Sequence, residues 1–286
     1  MRKPRTKLFV LIAILLIGAA SSFSWKIETF YPIENYSIAR ILYLPSGKYM
    51  KLISFGYPEF TADLLYLWSI QFYGDPSIVN RYKYLSNIFN SITDINPKLV
   101  DAYRMACLIA YYEMQGNIKI IMHFTDKGIT HNPKNWQIPI DGGYYAAMVH
   151  LHDASKRYFL IASGIPGAPA WTKRWVAEEN YRLGDKKQAI KFWKEALETA
   201  KQDFEKQICK GHIHDITVEI EIDALNEAIE EFSTFYFRLP HSMEELVKVG
   251  LLQQIPVDPE GKPFYYDPLT GKVTPLGGFR IFHPEK

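Results

Sequence analysis

The chain has 286 residues, 48% of them apolar and 15% aromatic, with a formal net charge of +2. That composition suffices for one long or two ordinary packed cores and excludes general disorder. Four positive charges, Arg2, Lys3, Arg5 and Lys7, precede the apolar run that starts at Leu8; without them 29 of the 33 basic residues face 31 acidic ones, which excludes nucleic acid as an electrostatic partner. Cys107 and Cys209 are too few for a disulfide scaffold and leave one bridge between them open.

The basic start leads into an uncharged run, Leu8–Trp25. At about 1.5 Å per residue a helix over that run just crosses a hydrocarbon core of roughly 30 Å. The first reading is a signal anchor: membrane contact through residues 8–25, a single pass of a bacterial inner membrane, N-terminus cytoplasmic and body periplasmic. Trp25 and Lys26 suit the far interface. The second reading is a signal peptide cleaved near Ala20, because Gly18, Ala19 and Ala20 are small, with the body released to the periplasm. Flanking charges disfavour a buried helix of a soluble protein, and no cysteine follows the run to carry a lipid.

Residues 26–59 read as an irregular lead-in. Pro32, Pro45 and Gly47 interrupt short apolar pieces, of which Ile38–Leu44 is a candidate strand or edge segment. From Phe60 the spacing turns helical through Leu64, Leu65, Trp68 and Phe72, and Gly74-Asp75-Pro76 stops it. A second helix carries Val79, Tyr82, Leu85, Phe89 and Ile92 on one face and ends near Asn96-Pro97.

Gly116 follows Tyr111-Tyr112-Glu113-Met114-Gln115 and Gly184 follows Asn180-Tyr181-Arg182-Leu183, and their midpoint, His150, falls where another turn is expected. The step from each of these positions to the next resembles the period, about 34 residues, of the tetratricopeptide repeat, a family of stacked helical hairpins. The small positions that let paired helices approach fall on Ala177, Ala189 and Ala196, with Trp193 as the aromatic between repeats. In the middle unit they fall on Gly143, Ser155 and Ala162, with Phe159. In the first unit they fall on Ile109, Ile121 and Gly128, with Thr125, so only one is small. Pro139 and Gly142-Gly143 predict a short or bent first helix in the middle unit, since a helical Gly costs about 1 kcal/mol relative to Ala.

In that family ligands usually lie on the concave side, built from first helices. The resemblance carries this role onto Glu113 and Met114, onto Tyr144, Ala147 and Met148, and onto Arg174, Glu178, Tyr181 and Arg182. Charge mixed with aromatics suits a protein or peptide segment. A solvated face, or one covered by other parts of the chain, is the plainer alternative.

At the end of the array, 60–215, Cys209-Lys210-Gly211-His212-Ile213-His214 reads as a polar turn between helices; no fourth ligand completes a zinc site, so no metal is assigned. Residues 216–237 read as a long acidic helix. Its stripe Val218, Ile222, Leu225, Ile229, Phe232 and Tyr236 is expected to cap the last repeat, and Glu219, Glu221, Asp223, Glu227, Glu230 and Glu231 fill its other faces.

Residues 238–286 predict a short helix opened by a capping box, Ser242 with Glu245, then two turns around a strand Phe264–Tyr266 and a return through Lys272-Val273. This tail resembles the end of type II secretion pseudopilins, although Gly18 is followed by alanines and not by the pilin processing pattern. Asp258, Glu260 and Asp267 are oxygen donors in ordinary turn sequences.

The expected fold is therefore mainly α: a membrane-spanning N-terminal helix, a TPR-like hairpin array and a small C-terminal α/β-hairpin module. Nucleophile elbows, phosphate loops, paired-histidine zinc motifs and dinucleotide fingerprints are all missing, and no cofactor is implied. The leading expectation is a non-enzymatic envelope adaptor for a protein or peptide partner. The alternatives are a structural component of a secretion or pilus-like assembly, and an envelope hydrolase.

Overall fold

The computed structural model describes residues 14, 15, 18, 19, 22, 46–75, 78 and 81–281. Apart from its isolated described positions, the expected spanning helix over 8–25 lies outside the described residues, as do the segment Ile38–Leu44 and Val79. Among the described residues no helix is long and apolar enough to cross a membrane. The chain divides into two compact units, one ending at Ile95 and one starting at Asn96.

The first unit contains α1 (Gly47–Ile53), α2 (Pro58–Gly74) and α3 (Tyr82–Ile95). The lead-in over 26–59, irregular by its sequence, thus holds a helix. Gly47 does not interrupt it: a Cβ there would collide with Asp94 of α3, so this glycine allows close approach between helices. Pro58 opens α2 in its first turn, where its missing N–H breaks no intrahelical bond. Leu85, Phe89 and Ile92 of α3 are buried as the spacing predicts.

The second unit begins with three antiparallel hairpins: α4 (Val100–Tyr112) with α5 (Ile118–His131), α6 (Gln137–Met148) with α7 (His152–Gly164), and α8 (Thr172–Arg182) with α9 (Lys186–Thr199). Reversing direction over so short a turn requires a left-handed backbone. Gly116, His150 and Gly184 supply it, at φ of 67°, 61° and 81°, evenly spaced along the chain. The second helices keep the same even spacing, starting at Ile118, His152 and Lys186. A TPR-like array of helical hairpins is therefore present in the second unit.

All the positions expected to be crowded are buried. Ala177, Ala189, Ala196 and Trp193 share one core cluster. In the middle hairpin a Cβ on Gly143 would stand 2.6 Å from the Phe159 ring. In the first hairpin Ile109, Ile121 and Thr125 are buried, and a Cβ on Gly128 would stand 2.9 Å from Ile138 of the next hairpin. The predicted shortening of α6 does not occur; it runs unbroken for 12 residues. Pro139 sits in its first turn, where no N–H is needed, and the two glycines face Thr125 and Phe159 too closely for any side chain. Their weak helix propensity is offset by packing.

The long helix differs most from expectation. It is α10, Asp203–Tyr236, 34 residues and so about 51 Å in length. Residues 209–214, expected as a turn, lie inside it. Gly211 is tolerated mid-helix because Ile281 lies against it, 2.8 Å from where a Cβ would be. Two faces of α10 serve two cores. Cys209 and Ile216, flanked by Ile213 and Ile220, pack on the last hairpin. The stripe Val218, Leu225, Ile229 and Phe232, expected to cap the repeat, instead packs against the C-terminal module through Met243, Leu246, Phe264 and Val273.

That module comprises α11 (Met243–Lys248) and the antiparallel pair β1 (Phe264–Tyr266) and β2 (Val273–Pro275), with Phe264 opposite Pro275. The capping box closes differently from expectation. Ser242 makes no cap bond; Glu245 accepts from the His241 amide at 2.8 Å and pairs with Arg238, which holds its carboxyl down at about 2. Asp267 folds its own turn, accepting from Leu269 N and Thr270 Oγ1, while Asp258 accepts from the amides of Glu260 and Lys262. Asp215, fully buried in α10, accepts from the amides of Arg280 and Ile281 at 2.9 and 2.7 Å and ties the following chain to the helix.

Candidate partner-binding groove

The first helix of the third hairpin builds a cleft. Trp171, Arg174, Trp175 and Glu178 recur every three or four residues, so they share one face of α8 and its entry turn. Trp193 of α9 and Ile208 of α10 close the other sides, leaving a cleft of about 250 Å³. Trp175 is 37% exposed, stacks on Phe159 at 5.5 Å and meets Tyr144 edge-on at 6.4 Å. Trp193 lies flat on His212, ring centres 4.0 Å apart. Trp171 meets Trp136 edge-on at 5.7 Å.

The rim is charged and internally paired. Arg174 pairs with Glu205 of α10 at 3.4 Å, both mostly buried, and Glu178 accepts from Arg182 at 3.2 Å. The groove thus offers an aromatic floor with a neutralised rim, which suits an apolar or aromatic anchor residue flanked by polar ones.

The expected binding residues fall into three groups. Arg174 and Glu178 line this cleft, and Tyr144 touches it through Trp175. Tyr181 is engaged from within the chain: its hydroxyl donates to Glu219 at 2.6 Å, and burial together with that carboxylate holds it well above the ordinary phenol range. Arg182 is committed to Glu178. Met148 lines a second, more open cleft of about 400 Å³ with Tyr111, Tyr112 and Gln115, while Glu113 and Met114 are half-buried at the end of α4. Ala147 is half-buried beside Met148. The sequence reading missed Trp171, Trp175, Trp193 and Ile208 as groove residues. The alternation Trp171, Trp175, Glu178 was the available signal for the first two; Ile208 was hidden because it was placed ahead of the long helix.

The acidic face of α10 is partly spent on internal bonds. Lys186 pairs with Glu219 at 3.2 Å and with Asp223, and against the opposing effect of burial these carboxylates raise its pKa. Cys107 and Cys209 are free and buried; burial pushes the Cys107 thiol up to about 12 and raises Cys209 as well, so neither is an activated nucleophile. Cys209, His212 and His214 do not converge: Cys209 packs in the last hairpin's core, His212 on Trp193, and His214 Nδ1 against Asp215 at 2.8 Å. Among the described residues no cluster of metal-ligating side chains is found.

No family model matches the chain. No curated protein matches it either. One solved structure that it resembles comes from the functional characterization of Pseudomonas aeruginosa pilF, with 12% identity, a TM-score of 0.41, and coverage of 67% of this chain and 85% of that chain. So slight a likeness carries no weight for the fold, which rests on the regular spacing of turns and helices in the chain itself.

Proposed function

We propose that the protein is a non-enzymatic envelope adaptor, anchored in a bacterial inner membrane through residues 8–25, whose periplasmic helical array holds a segment of a partner protein. The observation that carries this reading is the aromatic cleft of Trp171, Trp175 and Trp193 with its paired Arg174 and Glu178 rim. Aromatic side chains lose little conformational freedom on binding and bury a large area, so a half-exposed Trp in a cleft is a natural anchor point. The occupant is an extended segment that places one apolar or aromatic side chain on the tryptophans.

In-cell cross-linking from a photoprobe at Tyr144 tests this, with adducts identified by mass. The expected result is a discrete protein adduct that Trp175→Ala abolishes while thermal stability is little changed. An adduct pattern indifferent to Trp175→Ala, or no protein adduct, removes the adaptor reading.

A further inference from the structure

A second exposed surface belongs to the first unit. The tip formed by α1, the turn at Phe55-Gly56 and the start of α2 exposes Leu52, Phe55, Tyr57, Phe60, Leu64 and Leu67. Phe55 is 89% exposed and Leu52 80%, and Phe55 also holds φ at 50°. A left-handed non-glycine residue costs on the order of 1 kcal/mol, and within the unit the Phe55 ring gains almost no burial in return.

The two long helices of this unit show how unusual the surface is. α3 follows the rule for a helix on a soluble core: Leu85, Ile88, Phe89 and Ile92 point inward, and Asn87 and Asp94 are exposed. On α2 the buried side is Ala62, Ser69 and Phe72, while Phe60, Leu64 and Leu67, at i, i+4 and i+7, form an apolar ridge on the outside. Such contiguous apolar exposure marks a contact surface.

We infer that this tip rests on the lipid bilayer, inserting Phe55 and its neighbours among the headgroups. The inference rests on the anchor reading of residues 8–25. The segment 26–45 that joins Trp25 to Ser46 reaches at most roughly 70 Å, so an anchored chain keeps the tip within that distance of the membrane. The chemistry agrees. Aromatic rings suit the interface, Lys48 and Lys51 stand exposed on α1 where they meet lipid phosphates, and the apolar residues project from a helical turn where a peptide site would line a cleft.

The test uses the full chain reconstituted in vesicles of phosphatidylcholine and phosphatidylglycerol, with a benzophenone photoprobe at Phe55, at Leu64, at Ile14 or at the exposed Leu269 of the second unit. Lipid adducts from Phe55 and Leu64, well above the Leu269 background, are the expected result. The Ile14 probe reports on the anchor separately. Lipid adducts from Ile14 with only background from Phe55 and Leu64 overturn the inference and leave the anchor standing. Lipid adducts from Phe55 without any from Ile14 uphold the surface and remove the anchor. Adducts from Phe55 to residues 26–45, to a second copy or to another protein also overturn it.

Discussion

The first and third hairpins solve the same packing problem with opposite distributions of bulk. α8–α9 places alanine at 177, 189 and 196 and fills the gap between hairpins with Trp193. α4–α5 places isoleucine at 109 and 121, and the position of the tryptophan is taken by Thr125, with Gly142 of the next hairpin pressed against it. Volume removed at one site returns at its neighbour, which is how cores tolerate simultaneous substitution. What the array keeps constant is backbone geometry: the left-handed turns at 116, 150 and 184. The difference also shapes the surface, because the aromatic filler is one wall of the cleft at the third hairpin.

The comparison can be broken most severely at its aromatic end. Trp193→Ala should cost roughly 3–5 kcal/mol in chemical denaturation, since a large buried ring leaves an unfilled cavity. The equivalent change in the first hairpin, Thr125→Ala, should cost only about 1–2 kcal/mol, the scale of one buried polar contact, here that with Cys107. Equal costs would mean that the two hairpins do not share a register.

Gly143→Ala should destabilise by about 1–3 kcal/mol despite the better helix propensity of alanine, because its Cβ meets the Phe159 ring. Capping offers a gain in the other direction. Asn117 and Asp185 accept from the third residue of α5 and α9, whereas Leu151 at the same point of α7 caps nothing. Leu151→Asp should therefore stabilise by about 1 kcal/mol, read as an upward shift of the thermal midpoint.

An effect of alkaline pH is expected as well, and it falls on the first hairpin. Burial raises Cys107 from an ordinary 9.0 to about 12, so the folded chain keeps a proton that the unfolded chain releases. That contribution is complete below pH 9 and is lost as pH rises toward about 12. Buried Tyr145 and Tyr158 and half-buried Tyr181, each raised above 10.0, act in the same direction at higher pH. Cys107→Ala should flatten the pH dependence of the melting temperature above pH 9, whereas Trp175→Ala, the matching position in the third hairpin, should leave it unchanged.

Features with a strict backbone demand were legible in the sequence. Gly116 and Gly184 announced left-handed turns, and counting placed His150 with them although it is not glycine. The alanines of α8–α9 were readable because close helix approach admits little else. Features set by tertiary contact were not. Gly47, Gly142 and Gly211 each looked like a break, yet each is held in a helix by a neighbour that occupies the space of its missing side chain. The face of α10 that packs on the last hairpin was hidden behind Gly211, which moved the expected helix start from Asp203 to beyond residue 215. Of the residues expected on a binding face, Arg174 and Glu178 line the cleft, as their register on one helix allows, whereas the Tyr181 hydroxyl is occupied by Glu219, a contact no spacing rule contains.

The single run of α10 through two cores bears on how this end of the molecule comes apart. Stacked-repeat arrays ordinarily fray from their ends, each terminal unit opening at little more than its own cost. Here the helix that covers the last hairpin continues into the stripe that builds the C-terminal core, and Asp215, near the junction, holds the chain at Arg280 and Ile281. Opening either core disturbs the helix on which the other depends. The last hairpin and the C-terminal module should therefore protect their amides from exchange as one cooperative block, and shortening the chain at residue 238 would uncover Phe232 and Leu225 and loosen the helix whose Ile208 walls the groove.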